Sequence, residues 1–360
     1  MLGAPAASAS PLRVSVIVPT RNRAHSLRRT LEALGRQTWV PDGFEVIVVA
    51  NDCSDDTPPM VRALKTPYRL RLVETPTAGL SGARNAGAAA VHTDLLIFLD
   101  DDIEALPGCV AAHAHAHQGH SDLVAVGSLL PPPLPSPPDL FVERLRQLDI
   151  GFAASLANAT ALDWSCMIGG NFSVQQALFA AVGGFDASLG AYGGEDYEFG
   201  YRAQGAGAGF VFLPDAAGYH HRHENTTLTR YLHNARAIGS SDVGIVRRHP
   251  QMAERLHLRL ATRPHTALGR LGRNLAFTRP RLGDALADVL RRTSRPLATW
   301  RWRRSWNRIM DCLYEYWYYR GVADAVGSEA TMFAYLAEAA RQTVSAPGGP
   351  GVGSGASPVP

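Results

Sequence analysis

Between residues 13 and 130 the chain alternates two kinds of segment, and this alternation restricts its fold more than any other feature. RVSVIVPT (13–20), FEVIVVAND (44–52), YRLRLVE (68–74), DLLIFLDDD (94–102) and DLVAVGSLL (122–130) are short apolar runs with the pattern of strands. Between them stand AHSLRRTLEALGRQ (24–37), DDTPPMVRALK (55–65), GLSGARNAGAAAVH (79–92) and PGCVAAHAHAHQGH (107–120), which read as helices. Strands in strict alternation with helices pair in parallel, with helices packed on both faces. The expected fold is therefore α/β, a Rossmann-type, mostly parallel sheet. Ligands in such sheets bind at the carboxyl ends of the strands.

The second half is less regular. PPPLPSPP (131–138) is a stiff connector. FVERLRQLDIGFAASL reads as a helix, and DWSCMIGGNFSVQ (163–175) as a strand-like segment with a Gly-Gly turn. QALFAAVGG is a short helix, GGEDYEFGYRAQGAG passes from loop to helix, and GFVFLPDAAGYHHRHE (209–224) is a strand ending in histidines. From about Thr227 onward the pattern is helical, so a C-terminal helical region is expected over 226–344. SAPGGPGVGSGASPVP (345–360) has the composition of a disordered tail, and residues 1–12 are expected to be a flexible N-terminus without a signal peptide.

The totals exclude several classes. A formal net charge of +3 gives no basis for a nucleic-acid partner. Cys53, Cys109, Cys166 and Cys312 are far apart and form no C-x-x-C pair, which fits reduced thiols. No apolar run approaches the ~20 residues of a membrane span, so a cytoplasmic protein is expected. No G-x-G-x-x-G follows a strand and no G-K-[ST] is present, against a dinucleotide or P-loop site. The position four residues after His223 is Thr227, so H-E-x-x-H is absent too. His113 and His117 share a helical face and read as solvated surface.

The fourth strand ends in Asp100, Asp101 and Asp102. Adjacent carboxylates can hold a hard divalent cation, serve as acid and base, or form a solvated loop with an N-cap aspartate. The triplet alone leaves all three open.

VSVIVPTRNR, GLSGARNAGAAAV, LIFLDDDIEALPG, IGGNFSVQ…VGGFD and GGEDYEFGYR occur in this order. Together they resemble the family 2 glycosyltransferases, inverting enzymes of the GT-A fold that use nucleotide-diphospho-sugars. The resemblance covers roughly residues 13–225, as a GT-A-like catalytic domain with a nucleotide-sugar and metal half (13–130) and an acceptor half (139–225). It implies that Asp100 and Asp102 form a D-x-D element holding Mg²⁺ or Mn²⁺, with Asp101 between them on the donor side. A cation there is physically apt, since it relieves repulsion among the aspartates and faces a diphosphate leaving group.

Further roles follow from the same resemblance. Pro19, Thr20 and Arg21 would contact the nucleoside. Asn51 and Asp52 would read the base, although the family usually has aspartates where this chain has Ala50 and Asn51, so a UDP-sugar is favoured without being fixed. Arg84, in a small-residue helix whose start can face an anion, would meet phosphate. Asp196 would be the general base, with Glu195 beside it. Gly169, Gly170, Asn171 and Trp164 would line the acceptor side, and His221 would complete the metal shell. The acceptor would be a carbohydrate, a lipid-linked molecule or a small molecule. Two alternatives stay open: a catalytically inactive carbohydrate- or nucleotide-binding protein, and a nucleotidyltransferase. The latter would want a glycine-rich, lysine-bearing loop where PTRNRAHS stands.

RRTSRPLATWRWRRSWNR (291–308) holds seven arginines and three tryptophans with no acidic residue. It reads as a peripheral contact with anionic lipid on the inner face of the membrane, as a helix with its tryptophans packed inward and its arginines in water, or as arginines meeting acidic partners in another subunit. LYEYWYYRGVADAVG beyond it reads as core or as a homodimer contact.

Overall fold

The computed structural model describes residues 12–38, 43–76, 79–134, 138–189, 192–262, 264, 266–300 and 302–336. The expected flexible N-terminus, Leu12 apart, and the tail 345–360 lie outside the described residues, as does part of the proline connector. In chain order the first elements are β1 (Val14–Thr20), α1 (Ala24–Leu34), β2 (Phe44–Asn51), α2 (Thr57–Ala63), β3 (Arg69–Thr75), α3 (Gly79–Ala89), β4 (Leu95–Leu99) and β5 (Ile103–Ala105). They are followed by α4 (Cys109–Ala116), β6 (Leu123–Leu130), α5 (Leu140–Ala157), β7 (Asn171–Gln175), α6 (Gln176–Val182), α7 (Glu195–Gly205) and β8 (Gly209–His220).

The strands form one sheet in the order β3-β2-β1-β4-β7-β6-β8-β5. β3, β2, β1 and β4 pair in parallel, and β6 pairs in parallel with β8. β7 lies antiparallel between β4 and β6, and β5 is antiparallel to β8. The sheet is thus mostly parallel, with two reversed strands. Apolar patterning carries no sign of these reversals, because a strand buried on both faces reads the same in either direction.

Alternation along each strand makes two cores. Val14, Val16 and Val18 of β1 with Val46 and Val48 of β2 face Leu27, Leu31 and Leu34, which recur at helical spacing on α1. Ile17, Ile47, Val49, Leu96 and Phe98 face the other way, toward α3 and an aromatic cluster. In that cluster Phe98 stacks on Phe172 with ring centroids 4.8 Å apart, and Phe179, Phe185 and Phe199 close around them.

His113 and His117 correct the sequence expectation: both are fully buried. β7 turns Asn171 and Ser173 toward α4, and these polar groups need partners. His113 Nδ1 and Nε2 lie 2.8 and 3.0 Å from Ser173 Oγ and Asn171 Oδ1, and His117 Nε2 lies 2.9 Å from the same Ser173 hydroxyl. Burial pushes both imidazoles down to about 4, so they are neutral at pH 7.

The chain divides into two compact units, Met1–Pro133 with Asp149–Ala187 and Glu195–Arg222, and Leu134–Leu148 with Ser188–Gly194 and His223–Pro360. The second holds α8 (Arg222–Asn225) from His223 on, α9 (Leu228–Arg248), α10 (Leu258–Thr262), α11 (Ala267–Thr278), α12 (Pro280–Thr299) and α13 (Arg303–Val326). This is the helical C-terminal region. α9 and α13 cross so closely that a Cβ on Gly321 would run into the Arg236 carbonyl oxygen. Beside the crossing, the buried Tyr318 hydroxyl donates to Asp242 Oδ2 at 2.6 Å. Among the described residues no helix is long and apolar enough to cross a membrane.

Phe98 is fully buried at the centre of the aromatic cluster. Phe98→Ala is expected to cost about 3–5 kcal/mol of stability in urea unfolding, and a loss below about 1 kcal/mol would show that the cluster refills the space.

Candidate functional site

The carboxyl ends of β1, β2 and β4 lie along one edge of the sheet, bringing Thr20, Asn51 and the Asp100–Asp102 triplet together. Because β7 runs antiparallel to β4, its beginning lies at that same edge. Leu99 is opposite Asn171, and the Asp100 N–H donates to the Gly170 carbonyl at 2.9 Å. The end of β8 arrives there through β5, with Ile103 opposite His220.

The three aspartates have three different surroundings. Asp101 is buried and accepts from Thr20 Oγ1 and Arg23 Nη1, each at 2.7 Å. Burial, with Asp102 adding to it against the pull of Arg23, pushes its carboxyl up to about 7. Asp102 lies 3.4 Å from Arg23 Nη1 and 3.6 Å from His220 Nε2. Behind His220, Asp149 lies 3.8 Å from Nδ1 and accepts from Arg222 at 2.9 Å. Burial pulls the His220 pKa down, but Asp102 and Asp149 outweigh it and hold it above the usual imidazole range. Asp100 accepts from Arg84 Nη2 at 3.0 Å, and burial raises its pKa despite that guanidinium.

Arg84 is the hub of the site. It is 1% exposed. Nη2 donates to Asp100 and, at 2.7 Å, to the Gly169 carbonyl, while Nη1 donates to Glu195 Oε1 at 3.1 Å. Its guanidinium also lies 5.3 Å from the Phe185 ring centroid, on the aromatic cluster. A Cβ at Gly169 would fall 2.8 Å from both Nη atoms, so a glycine permits this contact. The Gly169 N–H donates at 2.7 Å to Asp196 Oδ2, whose Oδ1 accepts from the Tyr197 N–H at 2.9 Å. Burial and the adjacent Glu195, opposed by Arg84 and the two N–H groups, push Asp196 up to about 7. Nearby, Arg202 bridges Glu198 and the Val182 and Gly184 carbonyls, a structural brace for α7.

Several expectations need correction. Arg84 was expected to meet phosphate, but its guanidinium is enclosed by protein partners. Trp164, expected to line the acceptor side, is buried edge-on against Tyr197 and Tyr201. Asn171 is buried too, with Nδ2 donating to the Ala216 carbonyl at 2.8 Å and Oδ1 facing His113. His221 was placed beside the aspartates, but its ring lies on Glu104 at 3.0 Å. His221 lies just past β8, and it is His220, the last residue of that strand, that reaches Asp102. Gly170 does lie against Asp100, its Cβ position 3.2 Å from Oδ2. Pro19 ends buried in β1, Arg21 pairs with Asp52 at 2.7 Å on the surface, and Asn51 Nδ2 donates to the Gly79 carbonyl at 3.2 Å. Arg23, His220 and Asp149 join the site without a distinct sequence signal; only the histidine-rich end of β8 hinted at one of them.

Among the described residues, no group of three or more His, Cys, Asp or Glu side chains forms a ready-made metal cage. The donor set nevertheless suits a hard divalent ion shared with a ligand, which one or two carboxylates and phosphate oxygens suffice to hold. Asp100 and Asp102 are two such carboxylates, with an imidazole beside them. Six carboxylates (Asp100, Asp101, Asp102, Asp149, Glu195 and Asp196) face Arg23, Arg84, Arg222 and His220, an acidic excess that favours a further cation.

A mostly parallel sheet with acidic groups at its carboxyl edge defines an α/β architecture that takes its ligand at that edge, and comparison with known proteins narrows the class. Residues 15–182 match Glycosyl transferase family 2, and residues 152–224 match the N-terminal domain of galactosyltransferase. Residues 15–182 thus belong to glycosyl transferase family 2. It is 31% identical over 276 residues to validoxylamine A glucosyltransferase of Streptomyces hygroscopicus subsp. limoneus, an alignment spanning 70% of this chain and 60% of that protein. Its fold is similar to the mannosyltransferase PcManGT from Pyrobaculum calidifontis in complex with GDP-Man and Mn²⁺, with a TM-score of 0.55, 20% identity and coverage of 85% and 86% of the two chains. It is also similar to S. aureus TarS 1–349 in complex with UDP-GlcNAc, with a TM-score of 0.50, 17% identity and coverage of 88% and 92%.

Removing Arg84 would leave Asp100 and Glu195 without their counter-charge. Arg84→Met is expected to lower stability in urea by about 3 kcal/mol. Adding Glu195→Gln should return part of that loss, and strict additivity of the two changes would show that the pair is not coupled.

Proposed function

We propose that the chain is a metal-dependent glycosyltransferase that moves a sugar from a nucleotide-diphospho-sugar to an acceptor hydroxyl with inversion, Asp196 acting as general base. One observation carries this reading. Arg84 is bonded both to the Asp100 side, where Asp102 and His220 lie, and to the Glu195–Asp196 side, so two acidic groups of different character share one edge. Family membership supports transfer chemistry. The GDP-Man, Mn²⁺ and UDP-GlcNAc of the structural neighbours support a nucleotide-sugar donor and a divalent ion.

In this reading the acceptor hydroxyl attacks the anomeric carbon as the bond to the diphosphate breaks, and Asp196 takes its proton. The Gly169 and Tyr197 N–H groups aim the carboxylate, and a pKa near 7 matches its basicity to neutral pH. Asp100 and Asp102 would hold the ion. When bound, the ion supplies Lewis-acid stabilisation of the charge on the leaving diphosphate. Arg84 is a positioning residue: it neutralises Asp100 and Glu195 and fixes the loop that carries Gly169.

Asp196→Asn is expected to lower kcat by about 10³-fold, within the range general bases contribute, while calorimetry shows donor binding in Mn²⁺ unchanged. Normal turnover by the Asn variant would refute the base assignment. Because the base acts only when deprotonated, kcat/KM of the native protein should rise with pH through an ascending limb near 7 and be lost below it. A flat profile across that range would contradict it. Asp102→Ala should weaken nucleoside diphosphate binding in Mn²⁺ and leave binding in EDTA as it was; equal losses in both would remove the metal from the proposal.

A further inference from the structure

The helical unit carries an apolar face that nothing among the described residues covers. On α12, Leu282, Leu286 and Val289 recur at spacings of four and three, and all three are exposed. Trp300 and Trp302 follow just past the helix and are exposed, Trp300 at 65%, and Leu268 and Leu271 are exposed on α11. Of the eleven large apolar side chains exposed among the described residues, seven fall between positions 268 and 302. α12 packs through a different edge, where Gly283, Ala287 and Ser294 are buried. Its apolar stripe is therefore wider than its packing requires.

Charge identifies the occupant. Residues 267–308 contain eleven arginines and two aspartates, whereas the whole chain is only +3, so the rest of the protein is net acidic. Both aspartates are engaged within the unit, Asp284 by Tyr316 and Arg320 and Asp288 by Arg291 and Arg292. Arg281, Arg295 and Arg304 are exposed along the same stretch. Two copies meeting through this face would bring like charges together, which disfavours self-association. An anionic bilayer satisfies each feature. Tryptophans suit the headgroup boundary, aliphatic side chains enter the outermost acyl layer, and arginines meet phosphate. We propose that α11, α12, Trp300 and Trp302 dock this protein on an anionic lipid surface, with the helices lying in its plane.

Flotation of the full chain with vesicles tests this without reference to transfer activity. The protein should float with phosphatidylcholine vesicles containing phosphatidylglycerol and stay behind with phosphatidylcholine alone. Raising salt from about 0.1 to about 0.5 M should weaken the association, since screening shortens the reach of the arginines. The variant L286S/V289S/W300S and the variant R281Q/R295Q/R304Q should each bind at least about tenfold more weakly. All six side chains are exposed, so circular dichroism melting should show both variants folded. Tryptophan fluorescence should shift to the blue on anionic vesicles and lose that shift in L286S/V289S/W300S. Absence of binding to the anionic vesicles overturns the proposal, as does equal binding by the native protein and the apolar variant. Sedimentation showing a dimer that W300S dissolves, without vesicle binding, would assign the face to a second copy instead.

Discussion

A guanidinium taken out of water needs partners for both its charge and its N–H groups. Arg84 meets the need of its charge and its two Nη groups with two carboxylates and one carbonyl drawn from three separate parts of the chain, while its buried Nε has no hydrogen-bond partner. Asp100 follows β4, Gly169 precedes β7, and Glu195 opens α7. Each is distant from Arg84 in sequence or on another element, and none could drift without stranding a buried charge. The arrangement of the edge depends on this one cation more than on any single loop.

The Asp100–Asp102 triplet shows how neighbours with identical side chains acquire different tasks. Asp101 turns inward, tied to Thr20 and Arg23, and holds the ends of β1 and β4 together. Asp100 and Asp102 flank it toward Arg84 and His220. A sequence shows three equivalent acids; the fold makes one a brace and leaves two at the edge.

Much of this was legible in the residues. The apolar runs of β1, β2 and β4 announced a parallel sheet, and acidic groups at a strand end and a helix start announced a carboxyl-edge site. What was not legible depended on partners remote in sequence. Periodicity places Arg84 on a helix but does not reveal that Asp100 and Glu195 will enclose it. His220 and His221 are adjacent, and only the pairing of Ile103 with His220 decides which one meets Asp102. His113 and His117 looked solvated because their partners, Asn171 and Ser173, belong to a strand whose reversed direction leaves no trace in composition.

That reversed strand also keeps its own alignment. Asn171 and Ser173 of β7 face the imidazoles of α4, while Phe172 and Val174 face the phenylalanine cluster. Sliding β7 by one position would thrust an aromatic ring among histidines and strand a hydroxyl in hydrocarbon, so mispairing is punished on both sides at once. The pairing that sets Gly170 against Asp100 is thereby proofread from beneath the site, by side chains that need never touch a ligand.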